Sequence, residues 1–159
     1  MIASVRRRAL RLVGSSPNRT FLLYPLILVA WELSIHGGQW RSDFRFLPVM
    51  LWGYLQYRLC GRYRIRHGGG GPGFANPPER LVTTGPYAYT RNPMYLGHLI
   101  FLAGVSLTLR SLPGALLTAG VALWFHARVL RDERRLILRL GEPYREYTRR
   151  VRRWIPGLF

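Results

Sequence analysis

The chain contains no lysine, a single cysteine and only seven acidic residues, set against 24 arginines. With Cys60 alone there is no internal disulfide and no cysteine metal cluster, and a small side chain packed at a helix end is its expected role. The lack of lysine reads as a GC-rich coding bias and points to a bacterial source. The shortage of acid leaves a formal net charge of +17. Such a charge can signal a nucleic-acid partner. Here the placement of the arginines argues for a different partner.

No apolar run is unusually long, but four follow one another: Phe21 to Ile35, Phe46 to Leu59, Met94 to Leu109 and Gly114 to Leu130. Each is at or just below the ~17 to 25 residues that cross a bilayer, so any one alone fits a buried core helix. Four in succession, flanked by Arg and by Trp or Tyr, indicate an all-α integral membrane protein of about four spans. With those spans, every arginine except Arg41, Arg45 and Arg110 falls on one side. This is the positive-inside distribution, with both termini in the cytoplasm and a bacterial inner membrane as the expected location. Anionic headgroups account for the excess charge, and no nucleic acid is expected. No small-x-small cleavage site follows Ile35, so the first run is expected to remain as a span.

The whole chain, 1–159, reads as one domain without internal repeats. Residues 1 to 13 place Ile2, Val5, Ala9, Leu12 and Val13 near one helical face, and residues 1–19 form a basic amphipathic segment suited to the membrane surface. Glu32 lies near the outer end of the first span, where a structural role is expected. The connection from Gly61 to Pro78 contains Gly68-Gly69-Gly70-Gly71-Pro72-Gly73, which formally satisfies Gly-x-Gly-x-x-Gly. No strand precedes it and no helix opens at it, so it reads as a flexible loop rather than a dinucleotide site. Arg110 to Gly114 is a tight turn that makes the third and fourth spans an antiparallel hairpin, with Gly97 and Gly104 allowing close packing there.

The densest chemistry lies in Gly85-Pro86-Tyr87-Ala88-Tyr89-Thr90-Arg91-Asn92-Pro93-Met94-Tyr95-Leu96-Gly97. Asn92 is a favoured N-cap and Pro93 fits the first helical position. The helix dipole and free N–H groups beside Arg91 suit an anionic group. An ordinary capped span with interfacial tyrosines would carry the same cap. Further on, the fourth helix is expected to run past the membrane to Leu140 and stop at Gly141. His126, Leu130, Glu133, Ile137 and Leu140 then form one stripe, which turns Glu133 inward toward either an Arg partner or a ligand. Glu142 to Trp154 places Tyr144, Tyr147, Val151 and Trp154 on one face of a helix that lies on the membrane or caps the site.

These two blocks, covering 81 to 156, resemble the signatures of the isoprenylcysteine carboxyl methyltransferase and phospholipid methyltransferase superfamily. The first resembles the Gly-x-Tyr segment leading into Arg-Asn-Pro, Tyr and Gly. The second, Asp132-Glu133-Arg134-Arg135-Leu136 followed by Gly141-Glu142-Pro143-Tyr144-Arg145-Glu146-Tyr147 and Pro156, resembles the acidic pair, the Gly-x-x-Tyr-x-x-Tyr segment and the closing proline. The resemblance implies S-adenosylmethionine as cofactor, no metal, and a cytoplasmic C-terminal helical cap. It implies cofactor contacts from Tyr87, Arg91, Asn92, Pro93, Tyr95, Gly97, Asp132, Glu133, Tyr144 and Tyr147. Arg128 matches a basic residue implicated in catalysis and, with Arg91, is the candidate catalytic residue; without the family it would be a snorkelling anchor. Asn92 stands where carboxyl methyltransferases commonly have histidine, and Asp132 shortens the usual Glu-Glu pair, so the acceptor type is left open.

The acceptor implied is lipophilic and membrane-borne, with an isoprenylcysteine-like carboxylate favoured, because no general base stands out: His98 and His126 lie within apolar spans. Two other readings remain open at this level. One is an NADPH-dependent membrane reductase of the sterol reductase type. The other is a non-catalytic membrane protein that binds anionic lipid. Oligomeric state is not readable.

Overall fold

The computed structural model describes residues 14–39, 42–71 and 78–155. The amphipathic segment expected at residues 1 to 13, Arg41 and the centre of the glycine-rich loop lie outside the described residues. Among the described residues the chain is all-helical, without a β-strand. Five helices order it: α1 Tyr24–Ile35, α2 Leu47–Gly68, α3 Pro93–Thr108, α4 Leu112–Leu140 and α5 Glu142–Arg150.

Helix α1 continues without a break from a turn at Ser16–Asn18 and a π-helical turn at Arg19–Leu23. The Ser15 Oγ opens this run by accepting from the Asn18 N–H at 3.3 Å. Helix α2 runs to Gly68, well beyond the apolar stretch that ends at Leu59. Gly61 to Gly68 is therefore helix, not connection as expected, because the charged Arg58-to-His67 run contains no proline and only one isolated glycine, which a helix tolerates. Helix α4 ends where the sequence predicts. Gly141 takes φ 66°, and its N–H donates to the Ile137 carbonyl at 2.9 Å.

Helix α3 is the centre of the bundle. Its glycines do allow a close approach, but to α2 and not to α4. A Cβ on Gly97 would lie 2.7 Å from the Tyr57 backbone nitrogen, and one on Gly53 would lie 2.4 Å from that of Phe101. Gly104 meets Met50 in the same way. The expected α3–α4 hairpin forms through Gly114, which lies against Ser106, with the Ser106 and Thr118 hydroxyls 3.2 Å apart. One apolar cluster joins Tyr95 and Leu102 of α3 to Val121, Phe125 and Val129 of α4, and Tyr24 packs against it. A second joins Leu28 of α1 to Val105 and Leu109. The buried stripe of α4 is thus Val121, Phe125, Val129 and Glu133. The predicted stripe was rotated; His126 is exposed and accepts from the Trp154 indole N–H at 3.1 Å.

The two ends of the bundle differ. At one end the Asp43 N–H donates to the Thr108 carbonyl at 2.7 Å, and the Asp43 carboxylate holds Arg45 at 2.6 Å and Arg110 at 3.2 Å. At the other end lie both motif blocks. Between them the outward faces are apolar: Leu26, Ile27 and Trp31 on α1, Leu51 and Trp52 on α2, and Leu116 and Leu123 on α4 are all exposed. By length and composition, α4 is the one helix among the described residues able to cross a membrane; α3 is apolar but shorter.

Candidate functional site

A cavity of about 200 Å³ opens at the motif end, between the start of α3, the polar half of α4, the tyrosines of α5 and residues 78–82. Its parts are fixed by local chemistry. Gly85 takes φ 59°, which favours glycine, and a Cβ there would come within 2.6 Å of the Tyr63 ring, whose hydroxyl lies 2.8 Å from the Thr84 hydroxyl. The Tyr147 hydroxyl donates to the Tyr87 carbonyl at 2.7 Å, which ties α5 to the first motif. Burial raises the phenol pKa values of Tyr87, Tyr144 and Tyr147 above the ordinary range, so these groups act as neutral donors and apolar walls, not as bases.

The segment after α5 closes the site from behind. The helix stops at Arg150, before the Val151 and Trp154 of the predicted face, because Val151 turns extended at φ −111° and ψ 131°. From there the chain runs back across the first motif. The Arg91 N–H donates to the Arg152 carbonyl at 3.0 Å. The Thr90 hydroxyl and the Asn92 side-chain amide both donate to the Arg153 carbonyl, at 3.1 Å and 3.2 Å. Asn92 does precede α3 and Pro93 does open it, but the Asn92 side chain makes no capping hydrogen bond. Its amide is committed to residue 153.

Of the residues singled out in the sequence, Tyr87, Arg91, Asn92, Pro93, Tyr95, Asp132, Tyr144 and Tyr147 line the cavity. Glu133 and Gly97 do not. Glu133 is buried, with Oε2 accepting from Arg153 Nη2 at 2.9 Å and Nε at 3.1 Å, and with Oε1 lying 3.3 Å from Arg91 Nε. The inward carboxylate thus has arginine partners, the plainer of the two readings. Gly97 faces α2. Arg91 is likewise bound to Glu133 and does not wait as a free anion site. Asp132 is the carboxylate that faces the cavity: Oδ2 accepts from the Tyr95 hydroxyl at 3.1 Å and lies 3.6 Å from Arg128 Nε. Arg128 sits beside the cavity, not in its lining, with its guanidinium over the Trp124 ring.

A family model described as phospholipid methyltransferase matches residues 51–140, from α2 to the last residue of α4. The chain belongs to the phospholipid methyltransferase family. It is 35% identical over 83 residues to a protein-S-isoprenylcysteine O-methyltransferase of Schizosaccharomyces pombe, a match covering 51% of this chain and 35% of that protein. It is 34% identical over 80 residues to the protein of the same name from Dictyostelium discoideum, covering 49% and 33%. A nickel-cobalt-cadmium resistance protein, NccN, of Alcaligenes xylosoxydans xylosoxydans is 34% identical over 79 residues, covering 49% and 37%. The chain thus spans about a third of the length of the curated relatives it matches. No solved structure matches it significantly.

Sequence reasoning missed several residues of this cavity and its surroundings. Arg135, Leu136, Arg139 and Leu140 line the cavity from α4 at helical spacings from Asp132, a signal that was available. Arg64 was hidden by the misplaced end of α2. Its Nη2 donates to the Gly71 carbonyl at 2.9 Å and so holds the start of the glycine loop against the cavity. Arg153 carries no local signal at all.

Proposed function

We propose that this protein is an S-adenosylmethionine-dependent methyltransferase of the membrane, acting on a lipophilic acceptor, an isoprenylcysteine-like carboxylate in the favoured case. The observation that carries the reading is the cavity between the two family blocks, with one carboxylate, four arginines and four tyrosines in its wall. That donor set suits the cofactor. Asp132 is an acceptor for ribose hydroxyls or an ammonium, Arg135 and Arg139 are forks for a carboxylate, and the tyrosine rings are flat surfaces for a purine.

When bound, S-adenosylmethionine supplies a methyl group on a sulfonium, which passes to an acceptor oxygen while the bond's electron pair returns to sulfur and no proton moves. The chain's own task is then to hold, orient and dry the site. Tyr95 and Arg128 fix the Asp132 carboxylate. Tyr144 and Tyr147 exclude water as uncharged, buried walls. Positioning of this kind can supply much of a rate enhancement. No histidine lines the cavity, and its one carboxylate, Asp132, is engaged by Tyr95 and Arg128, which supports an acid acceptor over an ammonium.

Four spans with both termini and the cavity in the cytoplasm fit the exposed apolar faces of α1, α2 and α4 and the arginines gathered at the motif end. The acceptor then enters sideways from the bilayer, and anionic lipids surround the arginine-rich end. The test is a labelled-methyl assay of purified protein on a native lipid extract. Methyl label in an extractable lipid or lipophilic acid supports the reading; label in no product, with cofactor bound, contradicts it.

A further inference from the structure

Trp124 of α4 carries two guanidiniums. The Arg128 Cζ lies 5.6 Å from the ring centroid and the Arg19 Cζ lies 5.1 Å from it. Arg128 belongs to the same helix, one turn on. Arg19 comes from the other end of the sequence, at the π-helical turn Arg19–Leu23 that leads into α1. Single π turns inside helices are uncommon and recur at functional sites.

Two features separate Arg19 from an ordinary snorkelling anchor. Such an arginine extends along its own helix toward headgroups, whereas this one lies over a ring of a different helix. It also has no acid. All seven acidic side chains of the chain are described, and none pairs with Arg19, whose guanidinium makes a long 3.4 Å contact to the Ser16 hydroxyl. Arg128 shares its acid with the cavity, through Asp132 and Tyr95. Two guanidiniums near one indole repel each other, and an anion bound to both offsets that repulsion.

We propose that Arg19, Arg128 and Trp124 form the recognition site for the anionic head of the acceptor, with Arg19 a specificity-determining residue. This rests on the methyltransferase reading and deepens it. Arg128 lies 3.6 Å from the Asp132 carboxylate, so an anion held on it is next to the cavity. From the same point Leu22 and Leu26 of the first helical run and Leu123 and Leu116 of α4 lead away, each more than half exposed. The occupant is therefore an amphiphile: a carboxylate on the planar donors of the two arginines and an apolar tail along α1 and α4. A lipid phosphate presents the same anionic chemistry, and the test distinguishes the two.

The experiment measures binding of three probes to the detergent-purified chain: S-farnesylthioacetic acid, its carboxamide, and dioctanoyl phosphatidate. The parent is compared with Arg19→Gln, Arg19→Lys and the exposed control Arg66→Gln. S-adenosylmethionine affinity and thermal midpoint are read on the same samples. The proposal expects Arg19→Gln to bind the acid at least tenfold more weakly and the amide within twofold of the parent, with cofactor affinity unchanged and Arg19→Lys intermediate. It is overturned if the acid binds within twofold, or if acid and amide weaken together. Loss of phosphatidate alone assigns Arg19 to a structural lipid and also overturns it. If the parent binds no S-adenosylmethionine yet Arg19→Gln still separates acid from amide, the anion site stands and the methyltransferase reading fails.

Discussion

Arg153, beyond the last helix, donates two hydrogen bonds to one oxygen of Glu133 on α4, at 2.9 Å and 3.1 Å. With Arg91 on the other oxygen at 3.3 Å, a buried carboxylate holds the C-terminal segment to the first motif. Removing one partner of a buried pair leaves the others unmatched, at a cost of about 3 kcal/mol or more. Glu133→Gln should therefore lower the thermal midpoint by several degrees, and Arg153→Gln by a similar amount. In both, cofactor binding should weaken in proportion to the loss of folded protein. A Glu133→Gln protein with parental stability and abolished cofactor binding would make Glu133 a direct ligand instead.

The α2–α3 contact depends on glycine. A Cβ on Gly53 would lie 2.4 Å from backbone and one on Gly97 2.7 Å, whereas nothing lies within 4 Å of one on Gly120 of α4. Gly53→Ala and Gly97→Ala should each destabilise the detergent-solubilised protein by several degrees. Gly120→Ala should leave it unchanged or slightly raise it, since alanine favours helix by about 1 kcal/mol. Equal midpoints in all three would show that the two helices are not in backbone contact.

At the opposite end, Asp43 is held well below the usual carboxylate range, first by its hydrogen bonds to Arg45 and then by Arg110. A depressed folded pKa gives stability that is fully present above the unfolded value of about 3.9 and is lost as pH falls through the folded one. The deficit of Asp43→Asn relative to the parent should thus be the same at pH 5 and pH 8 and shrink only in stronger acid. Thermal melts across that range check it; a deficit that changes between pH 5 and 8 would implicate another group.

The arginine distribution and the shared ends of the bundle predict a sidedness. In a Cys60→Ser background, Phe44→Cys should react with an impermeant thiol reagent on intact cells. Tyr89→Cys and Arg150→Cys should react only after permeabilisation. The reverse pattern would invert the topology and move the cavity to the outer face.

Features set by a single residue and its immediate neighbours were legible in the sequence. Gly141 ends α4, Pro93 opens α3, and the Arg110-to-Gly114 turn makes a hairpin. Features that depend on a distant partner were not. The Asn92 side chain is drawn from its cap by a carbonyl 61 residues away, and that carbonyl belongs to a segment whose helix ends early. Gly97 announced a close neighbour but not which helix would supply it. Which member of the acidic pair lines the cavity also depends on distant partners. Of the two, Asp132 lines the cavity and Glu133 is turned into the protein. The inward side of α4 at 133 is occupied by arginines from residues 91 and 153. The charged extension of α2, and Arg64 with it, was hidden because polarity was taken for the end of the helix.

The most direct measurement is isothermal titration of the detergent-purified protein with S-adenosylmethionine, for the parent and for Asp132→Asn, Glu142→Gln and Glu146→Gln. Asp132 faces the cavity, while Glu142 and Glu146 are exposed on α5 and bound to Arg145, Arg149 and Arg150. Loss of a charged hydrogen bond to a ligand costs about 1.5 to 3 kcal/mol, roughly tenfold or more in affinity. The expected result is saturable binding by the parent, at least tenfold weaker in Asp132→Asn and unchanged in the two α5 variants. No binding by the parent, or equal weakening in all three variants, would contradict a cofactor site built on Asp132.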